Sequence, residues 1–524
     1  MKISHFMLAA LALAGIACTK ELPESASGLQ ESTELSTKLV GGTDGEIAPG
    51  TLLVRLDAQS VKAIEEGRLA EVSQDLLDGI EGATLTSALP VQPKNMEVAR
   101  KYGLDQWFMV SFGTQTSAEE VAKEMASSRR VRSIQYNRLV QPVWEGQVHP
   151  FEAMPMTKSQ NPEQSGMFND EYVSYQWNLY NDGSIDENAV PGADVGVKDA
   201  WRLTGGDPSV VVAIFDCAVA TRHEDLQDAL WQNEAEVNGQ TDVDDDGNGF
   251  IDDKYGFNFV GCSKINKDYT GSLLEGKPVD AVKGNILNWS KGSGHGTHVA
   301  GIIGAENGNG KGVSSIAGGT GNGDGVKLMS CQVFQGATNP TVSTIAAALT
   351  YAADNGACIA SCSFGSPAGK SYYYESDNLY IAEAGVEYDA IQYFIDPANA
   401  NCDAVEGNII VFSTGNSGKN MAGYPGALKD VIGVSAFGPD LLPTAFTNYG
   451  PGTNISAPGG DYYVDGVPSM PAMILSDGTM GQMMEPVSLE EAQVESYDKS
   501  WAVTGTKCER KHNIINSLSL VPEE

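Results

Sequence analysis

The chain has 524 residues, of which 41% are apolar, so it is long enough to bury more than one hydrophobic core. Its 68 acidic and 33 basic residues give a formal net charge of −35, and a surface of that sign repels phosphate backbones. The composition therefore excludes a single small fold, argues against nucleic acid as a partner, and suits a protein that binds divalent cations.

An apolar run near the start, from Phe6 to Ala17, is followed by Cys18. The run is too short for a permanent transmembrane helix but has the length of the apolar part of a secretion signal. The small residues before Cys18 resemble the lipobox of bacterial lipoproteins, although Gly15 stands where that motif usually has a larger aliphatic residue. We predict a signal peptide over residues 1–18, lipidation of Cys18 rather than ordinary signal cleavage, and export to a bacterial membrane, at the outer membrane or the cell surface. The lipid would be the only contact with the membrane.

Two stretches of low periodicity flank the first folded region. Residues 19–45 are rich in Ser, Thr, Glu and Gly, which predicts a flexible tether. Residues 141–169 carry scattered Pro, Gln, Met and Gly, which predicts a linker. Between them, residues 46–140 show strand and helix patterns in turn, which predicts a small α+β domain. We expect its strands at 51–56, 107–112 and 131–135 and a helix at 117–125.

From residue 170 onward, strand and helix patterns alternate. Such alternation predicts an α/β domain over residues 170–524, with a parallel sheet and helices on its faces. Polar residues stand at the carboxyl ends of several of its strands, and in open α/β sheets that edge is where ligands bind. We expect strands at 209–215, 326–333, 357–364 and 408–413 and helices at 295–305 and 342–354.

The cysteines do not form a complete set of disulfides. Eight are present, so seven remain apart from Cys18 (8 − 1), and an odd number leaves at least one thiol free or joined to another chain. Cys358 and Cys362 fall four residues apart in one predicted strand, where their Cα atoms lie about 13 Å apart, beyond the reach of a disulfide. We predict buried, unpaired thiols.

Three polar residues stand out in the α/β domain: Asp216 at the end of a strand, His295 at the start of a helix, and Asn416 just past a strand. Singly, each fits a structural role as a helix cap, a buried histidine or a turn residue. Together they favour catalysis. A carboxylate can hold an imidazole in one tautomer, the imidazole can act as a general base, and an amide can stabilise an oxyanion.

The histidine lies in the most specific motif of the chain. The segment Gly294-His295-Gly296-Thr297-His298-Val299-Ala300-Gly301 resembles the active-site histidine motif of the subtilisin family. The order Asp, His, Asn along the chain is also similar to that family. The further matches are Ile214-Phe215-Asp216 to its aspartate motif, Ser363-Phe364-Gly365 to its substrate-pairing strand, Ser413-Thr414-Gly415-Asn416-Ser417 to its oxyanion segment, and Phe446-Thr447-Asn448-Tyr449-Gly450 with Ala457-Pro458-Gly459 to a segment before the nucleophile.

This resemblance covers roughly residues 170–506 and implies both a fold and a function. The implied fold is a subtilisin-like parallel sheet flanked by helices, and the implied function is that of a serine-type endopeptidase that cleaves polypeptides. In its Ser/His/Asp mechanism Asp216 would orient His295, His295 would deprotonate a serine, and Asn416 would hold the oxyanion. Residues 363–365 would bind the substrate. The preceding α+β domain resembles the propeptide that such proteases carry as a folding aid and inhibitor.

The sequence departs from the family at the nucleophile. The family places Gly-Thr-Ser-Met-Ala at the start of a helix, where this chain reads Gly505-Thr506-Lys507-Cys508-Glu509. Lys507 stands in place of the serine. Cys508 is one position late, which on a helix turns its side chain by about 100°. We therefore predict that the chain with Lys507 is inactive.

Two explanations account for Lys507. A reading-frame shift or truncation near Thr506 is favoured by the abrupt change within one motif, and a genuine pseudoprotease is the other. The alternative function is that of a non-catalytic protein whose 363–365 segment binds extended peptides or its own propeptide. A milder departure lies beside Asp216, where Cys217 and Ala218 replace the family's Ser or Thr followed by Gly.

An acidic segment matches the pattern of a calcium-binding loop. Carboxylates at alternate positions converge on a hard cation, and a glycine at position 6 allows the sharp turn. Because the last ligand is Asp rather than Glu, its reach is shorter. We predict structural Ca²⁺ here, the alternative being a solvated acidic loop. The residues at positions 1, 3, 5, 6, 7 and 12 are Asp242, Asp244, Asp246, Gly247, Asn248 and Asp253.

Overall fold

The computed structural model describes residues 46–140, 168–260 and 294–460, with short gaps at 186, 222, 335–338, 366–376, 378–379, 382–384 and 404–405. It also describes residues 35, 37–40, 148–150, 463–464, 467–468, 474–477 and 500–503. The predictions for the signal peptide, Cys18, most of the tether and linker, and Lys507 and Cys508 lie outside the described residues. Within the described part, no helix combines the length and the apolar character needed to cross a bilayer.

The N-terminal domain is a five-stranded sheet covered by helices. The strands lie in the order β1-β5-β2-β4-β3, with β1 parallel to β5 and the other neighbours antiparallel. Its elements are β1 Leu39–Val40, β2 Ile47–Leu56, α1 Ala58–Glu65, α2 Leu69–Leu76, β3 Thr84–Ser87, α3 Met96–Tyr102, a 3-10 helix Leu104–Gln106, β4 Trp107–Ser111, α4 Ala118–Ser127 and β5 Val131–Arg138.

Local sequence explains these elements. The Asp57 side chain caps α1 by accepting a hydrogen bond from the Ser60 amide at 2.7 Å. In α4, Val121 and Met125 are buried four residues apart on one face, as an amphipathic helix requires. The expected strands and helix of this domain coincide with β2, β4, β5 and α4. The sheet begins earlier than expected, since β1 lies within the predicted tether.

The larger domain is built on a seven-stranded sheet in which all neighbours are parallel, in the order β13-β12-β11-β10-β7-β9-β8. Helices cover both faces, so the predicted α/β architecture is confirmed. Its elements are 3-10 helix Val173–Tyr175, α5 Val197–Ala200, β7 Val211–Asp216, 3-10 helix Gln227–Ala229, α6 Glu234–Val237, β8 Gly256–Asn258, α7 His295–Gly304, β9 Lys327–Gln332, α8 Val342–Asp354, β10 Ile359–Cys362, α9 Val386–Ile395, 3-10 helix Pro397–Asn399, β11 Ile409–Ser413, β12 Ile432–Phe437 and β13 Ile455–Pro458.

The central strand β7 divides its side chains between two cores. Every residue of β7 is buried, as its unbroken apolar run predicts. Val211, Ala213 and Phe215 pack in the core shared with α8 and α9, whereas Val212 and Ile214 pack in the core shared with α7. This alternation follows from the two-residue period of a strand. It places the end of β7 between helices on both sides.

Five short strands complete the described chain: β6 Val148–Pro150, β14 Tyr463–Val464 paired with β15 Val467–Pro468, and β16 Leu475–Asp477 with β17 Ser500–Val503. β17 pairs antiparallel with both β16 and β6. β6 therefore forms a strand inside the stretch that we predict as a linker.

The N-terminal domain packs on the face of the larger domain that carries α8 and α9. Lys101 Nζ and Tyr102 Oη lie 2.6 and 2.7 Å from Asp396 Oδ2. Trp107 Nε1 donates to Asp389 Oδ2 at 2.8 Å. In these contacts the larger domain supplies the carboxylates and the N-terminal domain the donors, whereas the Val386 amide of the larger domain donates to Gln135 Oε1 at 3.0 Å.

Candidate active site

Asp216 and His295 are in direct contact at the carboxyl edge of the sheet. Asp216 is the last residue of β7 and His295 is the first residue of α7. The Asp216 Oδ1 atom lies 2.6 Å from His295 Nδ1 and also accepts the Cys217 amide at 2.6 Å. Only 1% of Asp216 and 2% of His295 is exposed. A buried carboxylate at this distance fixes the orientation and tautomer of the imidazole.

The histidine motif has a physical basis in the packing of α7 against the segment that follows β7. A Cβ atom on Gly296 would lie 2.4 Å from the Ala218 carbonyl oxygen, so only glycine allows this approach. Thr297 Oγ1 accepts the Ala220 amide at 3.0 Å. These two contacts hold the start of α7 beside the end of β7, and they bring the Asp216 and His295 side chains together.

His298 lies one turn after His295 and plays a different part. It is 1% exposed, and its backbone carbonyl accepts the Ser476 hydroxyl at 2.8 Å. Burial, together with the neighbouring His295, lowers the pKa of His298 to about 3. This imidazole is therefore neutral at physiological pH and belongs to the packing between α7 and β16.

Asn416 lies three residues past the end of β11, at the same edge of the sheet. Gly415 has a φ of 95°, and a Cβ atom there would lie 2.6 Å from Asn448 Nδ2. Asn448 fixes the turn: its Nδ2 donates to the Thr414 carbonyl at 2.8 Å and its Oδ1 accepts the Ser417 amide at 3.0 Å. Both amide atoms of Asn416 are buried with no hydrogen-bond partner among the described residues.

Residues 363–365 continue from β10, which lies directly beside β7 in the sheet. The Phe364 ring is fully buried and packs 5.9 Å from Phe334 and 5.4 Å from Phe412, measured between ring centroids. The Ser363 hydroxyl is buried without a partner in the described part of the chain. Because Phe364 is directed into the core, recognition of a peptide here would fall to the backbone of Ser363 and Gly365.

The acidic loop holds a group of carboxylates that differs from the predicted set. Of the five predicted ligands, Asp246 and Asp253 come together, and the third member is Glu236, with ligand atoms within 4.8 Å of one another. The Glu236 carboxylate also accepts the Asp245 and Asp252 amides at 2.6 and 2.8 Å. The twelve-residue pattern missed Glu236 because it lies in α6, before the first position of the loop.

The other predicted ligands make contacts within the loop. Asp244 accepts the Asn248 and Gly249 amides at 3.1 and 2.9 Å. The Asp242 amide donates to Asp252 Oδ2 at 2.8 Å. Within the described residues the three-carboxylate group therefore excludes Asp242 and Asp244, while the Asn248 amide donates to one of its members.

Asp253 is the buried centre of this group. Its Oδ2 accepts hydrogen bonds from Tyr351 Oη at 2.8 Å and from Asn248 Nδ2 at 3.0 Å. Burial raises the pKa of Asp253 to about 7, the two hydrogen bonds oppose the rise, and the nearby carboxylates of Asp246 and Glu236 add to it. Three clustered oxygen donors of like charge are the ligands that a hard divalent cation prefers.

The cysteines in the described part of the chain are free thiols, as the sequence predicts. Four of them are buried and Cys402 is half-buried. Cys18, Cys262 and Cys508 lie outside the described residues. The four buried ones are Cys217, Cys331, Cys358 and Cys362.

Comparisons with known proteins agree with this geometry. Residues 207–504, more than half of the chain, match the profile of the Subtilase family. The chain is 28% identical to the cell wall-associated protease of Bacillus subtilis over 301 residues, which cover 57% of this chain and 25% of that protein. It is 25% identical to halolysin of Haloferax mediterranei over 265 residues, which cover 51% of this chain and 38% of that protein.

A solved structure supports the fold. That of fervidolysin from Fervidobacterium pennivorans, a keratinolytic enzyme related to subtilisin, superposes with a TM-score of 0.51 at 16% identity, covering 91% of this chain and 55% of that one. The fold and the Asp–His pair define a subtilisin-like α/β protein. With the profile match, the chain belongs to the subtilase family. It spans well under half of the length of the two relatives named above.

Proposed function

We propose that this chain carries the machinery of a serine-type endopeptidase that cleaves polypeptides, and that Lys507 leaves it without a nucleophile. The observation that carries the proposal is the 2.6 Å contact between Asp216 and His295 at the carboxyl edge of the sheet. Family membership supports it. The chain with Lys507 is then catalytically inactive.

Each residue has a defined task in this mechanism. The Asp216 carboxylate accepts the Nδ1–H of His295, which leaves Nε2 as the general base for a hydroxyl nucleophile. The Asn416 amide donates to the oxyanion that forms on the attacked carbonyl. A lysine ammonium is protonated at neutral pH and has no lone pair with which to attack, so Lys507 does not replace the serine.

A fluorophosphonate probe tests this assignment, because it reacts with a serine that a neighbouring histidine activates. We expect no labelling of the chain with Lys507. Lys507→Ser is expected to gain labelling, and the double variant with His295→Ala is expected to lose it again. Labelling of the original chain that disappears in His295→Ala would show that another residue serves as nucleophile.

Sequencing the coding DNA from codon 500 in all three frames separates the two explanations of Lys507. If another frame continues with Ser-Met-Ala and an apolar helix pattern, the chain derives from an active protease by a frame shift. If no frame does, the chain is a pseudoprotease. The second candidate function then applies, namely binding of extended peptides by residues 363–365, which fluorescence anisotropy of a labelled peptide measures.

We further propose that the N-terminal domain acts as the propeptide of this protease. Its donors meet the carboxylates Asp389 and Asp396 on the face that carries α8 and α9, which supports a binding role. A working protease removes such a domain. We expect a secreted product of the Lys507 chain to keep it, and a product trimmed between about residues 137 and 171 would contradict the inactive assignment.

The proposal includes a structural calcium ion in the acidic loop, held by Glu236, Asp246 and Asp253. The test is calorimetric titration of chelator-treated protein with CaCl₂. We expect Glu236→Gln to weaken binding at least tenfold, since it removes a charged ligand, and Asp244→Asn to weaken it less. The reverse order would favour the pattern-based ligand set, and absence of binding to the unmodified protein would remove the ion.

Lipid anchoring through Cys18 is also part of the proposal, supported by the apolar run Phe6 to Ala17 before it. Export and membrane attachment follow from it. Labelled palmitate should be incorporated into the full chain in a bacterial host and not into Cys18→Ser. Equal incorporation into both would contradict lipidation at this residue.

A further inference from the structure

Two cysteines, Cys358 and Cys402, lie on stretches of chain that flank α9 in the sequence. Cys358 stands just before β10, where its amide donates to the Val211 carbonyl at 3.0 Å and its thiol lies 3.6 Å from the same oxygen. It is fully buried. Cys402 lies in the loop between α9 and β11 and is half-buried.

The backbone around the two cysteines is fixed by Asn401. Its Nδ2 atom donates to the Ala353 carbonyl at 2.7 Å and to the Ala357 carbonyl at 2.9 Å. Its amide donates to Asn408 Oδ1 at 3.1 Å. Asn401 and Ala357 immediately precede Cys402 and Cys358, so these bonds join the two stretches of chain that carry the cysteines.

The Cys402 thiol also affects the acidity of Cys358. Burial raises the pKa of the Cys358 thiol to about 12, and the nearby Cys402 thiol adds to the rise. The buried thiols Cys331 and Cys362 provide a contrast. Both are paired with Phe215 of β7, one from each side, so they lie two strands apart, roughly 10 Å, beyond the reach of a disulfide.

We propose that Cys358 and Cys402 form a disulfide when the folded protein meets a disulfide oxidant, such as oxidised glutathione or the oxidised dithiol of an oxidoreductase. Cys402 reacts first, because it is the more exposed of the two. Its thiolate attacks one sulfur of the oxidant, forms a mixed disulfide and releases one thiol. The Cys358 thiol then loses its proton and displaces the second thiol from Cys402. The two cysteines lose two electrons, and the oxidant is reduced to two thiols.

The bond would close a loop that contains α9. This helix carries Asp389, which binds Trp107 of the N-terminal domain, and it precedes Asp396, which binds Lys101. A cross-link at the base of the loop restricts the unfolded chain and stabilises the native arrangement. Oxidation is therefore expected to strengthen the face on which the N-terminal domain packs.

The test is treatment of the folded full chain with oxidised glutathione, followed by alkylation in denaturant, digestion and mass spectrometry. We expect loss of two titratable thiols and a cross-linked peptide pair, containing Cys358 and Cys402, that is two hydrogen atoms lighter than the separate peptides. We also expect a higher melting temperature that dithiothreitol reverses. Cys402→Ser should abolish the cross-link and the shift, whereas Cys331→Ser should keep both.

Two outcomes would overturn the proposal. One is that the oxidised unmodified protein carries glutathione on Cys402 while Cys358 is still alkylated. The other is that no cross-link forms, or that the recovered pair is Cys331 with Cys362. Because these readings are made on the unmodified protein, they do not depend on the folding of a variant.

Discussion

At the residue scale, His298 of α7 shows how burial decides protonation. His295 meets a carboxylate, whereas His298 is buried one turn later and its carbonyl accepts the Ser476 hydroxyl. A histidine of this kind stabilises the fold only in its neutral form. Because the pKa of His298 is low in the folded state, acid is expected to destabilise the protein through this residue.

The pKa of His298 is lowered in the folded state, to about 3, so below pH 6.5 the unfolded chain binds more protons at this residue. Its contribution to stability is thus present above about pH 6.5 and falls as the pH decreases toward 3. Between pH 7 and pH 5 we expect the native protein to lose about 2 kcal/mol more than His298→Leu, which cannot be protonated. Urea unfolding across this pH range measures the difference. Parallel pH profiles for the two proteins would contradict the assignment.

Two of the three glycines of α7, Gly296 and Gly304, provide a matched pair. A Cβ atom on Gly296 would meet the Ala218 carbonyl at 2.4 Å, whereas one on Gly304 would meet only the flexible Leu328 side chain at 3.1 Å. We expect Gly296→Ala to lower the free energy of unfolding by about 1–3 kcal/mol. Gly304→Ala should be close to neutral, because better helix propensity offsets the contact. Equal effects in urea unfolding would show that the approach of α7 to Ala218 is not close.

At the element scale, the interface between the N-terminal domain and α9 depends on a buried carboxylate. Burial raises the pKa of Asp389 to about 6, against the hydrogen bond from Trp107 and the nearby charge of Arg55. Arg55 lies 3.7 Å away. The Trp107 indole is therefore the close hydrogen-bond donor to the Asp389 carboxylate, whose charged form is destabilised by burial.

Trp107→Phe keeps an aromatic ring but removes that donor. We expect a loss of about 1–3 kcal/mol of stability at pH 8, where Asp389 is ionised, and a smaller loss at pH 5, where it is largely protonated. Trp201→Phe is the control, since Trp201 Nε1 donates to a neutral carbonyl, that of Ile316, at 2.9 Å. Its cost should not depend on pH. Chemical unfolding of both variants at the two pH values makes the comparison, and equal pH dependence would contradict the role of Asp389.

Much of the element structure could be predicted from sequence, and the exceptions have a common cause. The apolar run of β7 and the periodic helix α8 are local signals, and both elements form where expected. β1 is two residues long and exists because it pairs with β5, almost a hundred residues away. Glu236 joins the acidic group through contacts outside the loop pattern. Contacts between distant segments leave no periodic pattern in the sequence.

The candidate site likewise contains residues that the sequence could predict and residues that only the structure reveals. Asp216, His295 and Asn416 were identified by their motifs, and the structure places them along one edge of the sheet. The role of Asn448, which holds the turn carrying Asn416, follows only from its hydrogen bonds. The calcium pattern contains two of the three carboxylates that the structure groups, and it also contains Asp244, whose carboxylate accepts main-chain amides.

At the scale of the whole molecule, the net charge of −35 opposes compactness. Surface repulsion is screened over about 10 Å at 0.1 M salt and over about 30 Å at 0.01 M. We therefore expect the melting temperature to rise when NaCl increases from about 0.01 to 0.1 M. A chelator in all samples excludes calcium effects, and tetramethylammonium chloride at the same ionic strength is the control for sodium binding. A melting temperature that falls or stays constant would show that attractive ion pairs outweigh the net repulsion.

We propose that the Asp216–His295 pair has lost its serine nucleophile, because Lys507 stands in the serine's place. The most direct measurement is hydrolysis of an unstructured polypeptide such as casein by the purified full chain, compared with His295→Ala at equal concentration. We expect no difference between the two, because Lys507 replaces the serine whose hydroxyl the imidazole would deprotonate. Hydrolysis by the original chain that disappears in His295→Ala would contradict it.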